Sequence, residues 1–115
     1  MQHKSLIIVK GQFEHQHRYY EAPEEVSYLR SLHRHLFHYE VELEVFHDDR
    51  ELEFIMVKHR IDAFVERSKD SWGDLVSCEQ MALAIGNYLR NKYGFDRALT
   101  VSVLEDNENG AKIIL

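Results

Sequence analysis

The stretch HRHLFHYEVELEVF, residues 33–46, decides the fold. Its odd-numbered positions hold histidine, aromatic or aliphatic side chains, and its even-numbered positions are mostly charged or polar. Successive side chains of a strand point to opposite faces of a sheet, so this alternation predicts a long strand with one buried face. A turn signal at residues 47–50 follows, and residues 52–57 are predicted to form the returning strand of a hairpin.

Further strands are predicted on both sides of this stretch. Upstream, residues 6–17 pass from a β-branched run into alternation, and Gly11 within them is a candidate bulge. Residues 18–30 contain the only proline and several acids, and are interpreted as a loop. Downstream, strands are predicted at 99–105 and 111–115 because a polar turn separates two apolar segments.

Two helices are predicted between the strand pairs. Ile61, Phe64 and Val65 have the i, i+3, i+4 spacing of a short helix. A second helix is predicted to begin at Ser77, because Gln80 completes a capping-box pattern three residues later. The order of two or three strands, two helices and two strands predicts an α+β fold with an antiparallel sheet.

Length, charge and cysteine content limit the class of protein. The 115 residues, 44% of them apolar, predict a single domain over residues 1–115. With 14 basic and 20 acidic side chains the net charge is −6, which disfavours nucleic-acid binding because phosphate contacts need clustered positive charge. Cys78 is the only cysteine, so no internal disulfide forms, and a reducing, cytoplasmic location is expected. No apolar run reaches 18 residues and residues 1–4 begin no signal peptide, so neither a membrane span nor secretion is expected.

Histidine is unusually frequent, with eight in the chain, and four of them form two i, i+2 pairs. On a strand, His15 and His17 project from one face, and so do His33 and His35. Three imidazoles with an open fourth position are typical of a catalytic zinc site. The alternative is that these are solvated surface histidines, because chance alone gives roughly half a pair of this kind at this composition.

Two other side chains have two interpretations each. Glu105 continues the apolar face of the strand at 99–105, where a carboxylate is costly unless it is hydrogen-bonded or binds a ligand. The alternative is that the strand ends at Leu104 and that Glu105 is solvated. Cys78 lies on the apolar stripe of the second helix and is interpreted as a small buried hydrophobe; the alternative is a thiol whose pKa is lowered by the helix N-terminus.

Four short motifs stand in order along the chain: FEHQHR at 13–18, LHRHLF at 32–37, SCEQMA at 77–82 and VSVLE at 101–105. They resemble the F-E-x-x-H-R, L-H-G-H-x-F, T-x-E-x-x-A and V-x-V-x-E motifs of the 6-pyruvoyl-tetrahydropterin synthase and 6-carboxy-tetrahydropterin synthase family. Arg34 replaces the glycine of the second motif.

The resemblance implies the tunnelling fold, in which two helices cover one face of a ββααββ sheet. In that fold the sheets of several subunits join into a barrel, usually a homo-hexamer made of two trimers. The resemblance also implies a zinc ion bound by His17, His33 and His35. It further implies a pterin ring whose guanidine-like edge donates N–H bonds to Glu105, with Ser77 at the position that helps to hold the ring.

The chain departs from the family where protons are moved. The family cysteine lies four residues before the first histidine of its H-G-H, and Leu29 stands at that position. The family's L-D-H segment has no clear counterpart before the second helix, and His59 and Asp62 are the nearest candidate catalytic residues.

The resemblance therefore implies a zinc protein that acts on a dihydropterin triphosphate-like substrate with an altered catalytic set. Such an enzyme is a carbon–oxygen lyase that eliminates triphosphate, and His59, His15 or Asp62 is its candidate base. The alternative is a non-catalytic pterin- or purine-binding module on the same fold. A third interpretation is related chemistry on a different purine-like substrate.

Overall fold

The computed structural model describes residues 2–115. They form a four-stranded antiparallel sheet with two helices packed on it, which confirms the predicted α+β fold and its order ββααββ. No helix within these residues is long and apolar enough to cross a membrane. The strands are β1 (Ser5–His17), β2 (His33–Val45), β3 (Leu99–Glu105) and β4 (Asn109–Ile114), the helices are α1 (Phe54–Trp72) and α2 (Cys78–Tyr93), and a 3-10 helix spans Glu24–Arg30.

The register of the sheet brings chain segments that are far apart in sequence to one end of it. The strands lie in the order β1-β2-β3-β4. β1 pairs with β2 over its whole length and ends with His17 opposite His33. β3 is shorter, and its last residue, Glu105, lies opposite Phe37 of β2. The end of β1, the start of β2 and the end of β3 therefore lie close together at one end of the sheet.

The hydrophobic core lies between the sheet and the helices. The alternation predicted for β2 is confirmed, because its odd-numbered side chains from residue 37 onward are buried. α1 packs against β1, and α2 packs against β3 and β4. The side chains that the two helices bury at 1% exposure or less are Val57, Ile61 and Val65 of α1, and Met81, Ala82, Ile85 and Leu89 of α2.

The returning strand predicted at residues 52–57 is wrong. α1 begins at Phe54, and the side chain of Glu53 caps it by accepting a hydrogen bond from the backbone N–H of Met56. The predicted short helix is in fact the middle of this 19-residue helix. A short apolar run has the same appearance in a strand and in a helix, so the run at 52–57 did not discriminate between them.

Gly11 is not a bulge, because β1 and β2 pair residue for residue on both sides of it. The ring of Tyr39 lies over Gly11, and a Cβ atom at that position would overlap the ring. The Tyr39 hydroxyl donates a 2.7 Å hydrogen bond to Asp62 on α1. Burial, together with this bond, raises the pKa of Tyr39. Gly11 therefore permits a close approach that ties β2 to α1.

The connection between β1 and β2, residues 18–32, is anchored beside the start of α2. Arg18 donates two side-chain hydrogen bonds to Asp74, and its backbone N–H donates to the Asp74 carbonyl. The backbone N–H of Tyr19 donates to the carbonyl of Leu29. These bonds hold the connection over the end of the sheet where His17 and His33 lie.

Candidate metal centre

Three histidines converge at the end of the sheet. His17 closes β1, and His33 and His35 are the first and third residues of β2, so all three side chains lie on the same face. Their ring centroids are 4.6, 5.0 and 5.4 Å apart. One nitrogen from each ring lies within 4.8 Å of the others, so the three histidines could hold a metal ion. The structure therefore brings together the predicted ligand set.

Hydrogen bonds fix the tautomer of each of these rings. The Nδ1 atoms of His17 and His33 lie 2.9 Å from the backbone carbonyls of Val76 and Ser31. The Nδ1 atom of His35 lies 2.7 Å from a carboxylate oxygen of Asp106. A carbonyl and a carboxylate only accept, so each Nδ1 carries a hydrogen, and in the neutral form of each ring Nε2 presents a lone pair.

Two of the three Nε2 atoms are buried without a hydrogen-bond partner, which is costly for a polar atom. These are the Nε2 atoms of His17 and His35. Burial lowers the pKa of His17, which favours its neutral form. Metal-binding histidines typically donate their second N–H to a carbonyl or carboxylate, which is the arrangement here.

Asp106 was not identified from the sequence, where it belongs to the polar turn between the strands predicted at 99–105 and 111–115. It sits in the left-handed region at φ 53°, which aspartate tolerates, and its second carboxylate oxygen accepts from the backbone N–H of Leu36. The hydrogen bond from His35 and then that from Leu36 lower the pKa of Asp106. Asp106 therefore orients His35 as an ionised carboxylate. Its position directly after Glu105 was the one available signal.

Glu105 belongs to the same cluster. β3 extends through Glu105, and the side chain is one-third exposed, so the interpretation as a fully solvated residue beyond the strand is wrong. One carboxylate oxygen lies 3.0 Å from Nε2 of His17, and the other lies 3.5 Å from Nε2 of His35. The carboxylate thus faces the lone pairs of two candidate metal ligands.

A pocket of about 450 Å³ opens beside the histidines. Ser77 lies in its wall as the N-cap of α2, where its hydroxyl accepts from the backbone N–H of Gln80 and the Gln80 side chain accepts from the backbone N–H of Ser77. The predicted capping box is therefore confirmed. The polar and apolar side chains of the wall include His17, His33, Ser77, Glu105, Leu29 and Cys78.

Cys78 lies in the pocket wall at the first turn of α2, but it is buried there. Burial, followed by the nearby charge of Glu105, raises the pKa of its thiol to about 12. The raised pKa keeps the thiol protonated, so Cys78 is a small buried hydrophobe rather than a thiolate.

The structure places the three candidate bases outside this wall. Nε2 of His15 donates a 2.7 Å hydrogen bond to the carbonyl of Gly73, and its ring lies edge-on to Trp72. His59 is exposed on α1. Asp62, also on α1, accepts from Tyr39 and lies 3.3 Å from the Lys58 ammonium group. Within one chain, none of the three lines the pocket.

The centre combines three imidazole nitrogens, a carboxylate and a pocket large enough for a small molecule. Comparison of the chain with models of protein families and with curated proteins found no match. The geometry of the three histidines and Glu105 is therefore the basis for assigning a function.

Proposed function

We propose that the protein binds one zinc ion through Nε2 of His17, His33 and His35. The observation that supports this most directly is the set of three Nδ1–H bonds to fixed acceptors, which turns all three Nε2 lone pairs inward. Neutral imidazole nitrogen is a preferred zinc ligand, and catalytic zinc sites commonly use three protein ligands. Two of these nitrogens are buried without a hydrogen-bond donor, which is unfavourable, and a bound cation would accept their lone pairs.

We further propose that the pocket binds a dihydropterin triphosphate-like substrate, as in the 6-pyruvoyl- and 6-carboxy-tetrahydropterin synthases that the motifs resemble. The pocket volume of about 450 Å³ lies within the usual range of small-molecule sites, about 300–1,000 Å³. Glu105 would accept N–H bonds from the guanidine-like edge of the ring, and Ser77 lies in the same wall. A bound zinc ion would polarise the oxygens of the substrate side chain and acidify the neighbouring C–H groups.

A non-catalytic pterin- or purine-binding module on this fold is the second candidate, and the pocket wall favours it in one respect. Leu29 contributes an apolar side chain, and the thiol of Cys78 is held protonated by burial. The carboxylate side chains in the pocket wall are those of Glu79 and Glu105. A pocket that binds the ring but lacks a dedicated base fits sequestration or transport of the ligand as well as slow catalysis.

Metal analysis and ligand titration test this proposal. Untagged protein should contain close to one equivalent of zinc per chain, and the zinc-loaded protein should bind a reduced pterin in calorimetry. Release of inorganic triphosphate from 7,8-dihydroneopterin triphosphate would distinguish the enzyme from the binding module. Protein that binds neither zinc nor a pterin would overturn both candidates.

We also propose that the chain works as a homo-oligomer in the cytoplasm, as a hexamer made of two trimers. β1 and β4 are the outer strands of the sheet, and both carry exposed aliphatic residues, Ile8 at 57% and Ile114 at 75% exposure. Edge strands expose unpaired backbone groups, and closure of several sheets into a barrel would pair them. The free thiol of Cys78 fits a reducing compartment.

Sedimentation equilibrium at micromolar concentration should therefore show a species much heavier than one 13.7 kDa chain. The physical reason is that two unpaired edges and their exposed aliphatic side chains are removed from water on assembly. A substitution in the middle of an edge, Ile8→Lys, should shift the distribution toward monomer. Wild-type protein that sediments only as a monomer would contradict the oligomer.

A further inference from the structure

The carboxylate oxygens of Glu105 lie close to the Nε2 atoms of His17 and His35, yet no hydrogen bond joins them. Nδ1 of His17 donates to the carbonyl of Val76, and Nδ1 of His35 donates to Asp106, so the Nε2 atom of each ring in its neutral form has a lone pair. The oxygens of an ionised carboxylate also have only lone pairs. Acceptors therefore face acceptors at 3.0 and 3.5 Å, and no hydrogen bond joins Glu105 to either ring.

A cation between these atoms relieves the repulsion. A single proton forms a hydrogen bond in only one nitrogen–oxygen pair at a time. Here each carboxylate oxygen faces a different Nε2 atom, so one of the two pairs would remain unbridged. A metal ion is shared by all of them. Bonds of about 2.0–2.2 Å at tetrahedral angles place neighbouring ligand atoms about 3.3–3.6 Å apart. The Glu105–His35 separation of 3.5 Å lies within that range, and the Glu105–His17 separation of 3.0 Å is slightly shorter.

We propose that Glu105 is the fourth protein ligand of the metal centre in the ligand-free protein. This inference rests on the proposed metal site of His17, His33 and His35. The register of the sheet supports it, because Glu105 lies opposite Phe37, two residues beyond His35 on the same face. β3 thereby contributes a ligand to a centre whose other ligands come from β1 and β2.

A fourth protein ligand closes the centre until a small molecule enters the pocket. The Glu105 side chain is one-third exposed and lines the pocket, whereas the His17 side chain is only 10% exposed. A small molecule that offers an oxygen ligand would therefore displace the Glu105 carboxylate more easily than the His17 imidazole. Once displaced, Glu105 is free to accept N–H bonds from the same molecule, so its release from the metal and its contact with a ring are alternatives.

Cobalt substitution tests this ligand directly, because the visible spectrum of Co²⁺ reports the number and type of its ligands. The metal-free protein, its Glu105→Gln variant and a Glu108→Ala control are titrated with Co²⁺ and then with Zn²⁺. Glu108 lies in the neighbouring exposed turn and does not line the pocket. Loss of a residue that only supports a ligand already costs about 10–100-fold in metal affinity, so Glu105→Gln should weaken binding at least about tenfold and change the spectrum.

A second variant separates ligation from a merely structural role. Glu105→Ala leaves space for a free carboxylate, so added acetate should restore the wild-type Co²⁺ spectrum, and chloride at equal ionic strength should not. Wild-type spectrum and affinity in Glu105→Gln would overturn the inference while leaving the three-histidine site intact. Absence of Co²⁺ and Zn²⁺ binding in the wild type would overturn the proposed metal site and this inference with it.

Discussion

The double variant His33→Ala/His35→Ala is expected to lose its metal entirely at ordinary concentrations. Structural zinc sites in small domains are worth about 10–16 kcal/mol, or roughly 3 kcal/mol for each of four ligands. Removal of two imidazoles should therefore cost roughly 6 kcal/mol, which is a loss of about 10⁴-fold in affinity. The remaining His17 and Glu105 offer two neighbouring ligand atoms, 3.0 Å apart, and cannot complete a four-coordinate site.

Metal analysis of untagged protein measures this loss, with competition against a chromophoric chelator to give the affinity. The matched control is His3→Ala/His47→Ala, which removes two exposed imidazoles from the same chain and should keep one equivalent of zinc. A chelator should lower the melting temperature of the wild type and of this control, because metal that binds only the folded state stabilises it. The double variant at positions 33 and 35 should show no such shift. Stoichiometric zinc in that variant would refute the ligand assignment.

The three histidines of the candidate metal centre were predicted correctly from the sequence, whereas the strand predicted at residues 52–57 was wrong. The i, i+2 spacing places His33 and His35 on one face of a strand wherever that strand lies, so a local pattern was sufficient. The partnership with His17 depends on the register of β1 against β2, which pairs His17 with His33 across a 15-residue connection. Periodicity within each strand does not contain that register, and the resemblance to a family was what implied the third ligand.

The errors arose where tertiary contacts determine the meaning of a residue. The run at 52–57 became the start of α1, because Glu53 caps it and Val57 begins the buried stripe of the helix. Asp106 reads as an ordinary turn residue until β2 is placed beside it, and it then accepts bonds from His35 and Leu36. Local composition does not report the two contacts of Asp106, since both join segments about 70 residues apart in the chain.

Leu29→Cys should raise turnover of 7,8-dihydroneopterin triphosphate by about 10²-fold or more. The wild type is expected to release triphosphate slowly or not at all, because Leu29 presents an apolar side chain where the synthases that the motifs resemble have a cysteine. Leu29 lines the same pocket as His17, His33 and Glu105, so a thiol there would face the bound substrate. A positioned group that moves a proton typically contributes about 10²–10⁴ in rate.

The matched control is Leu29→Ala, which enlarges the pocket without adding a group that titrates. If the gain comes from proton transfer, Leu29→Cys should raise the rate with little change in pterin affinity, and Leu29→Ala should leave the rate at the wild-type level. No gain in Leu29→Cys, together with tight pterin binding, would favour the binding module over the enzyme.

Rapid turnover by the wild type would contradict the prediction and require another base, for which His59→Ala and Asp62→Ala are the first variants to measure. Because His59 is exposed on α1 outside the pocket of its own chain, an effect of His59→Ala would imply that a neighbouring subunit completes the site, whereas Asp62→Ala also removes the acceptor of the Tyr39 hydrogen bond.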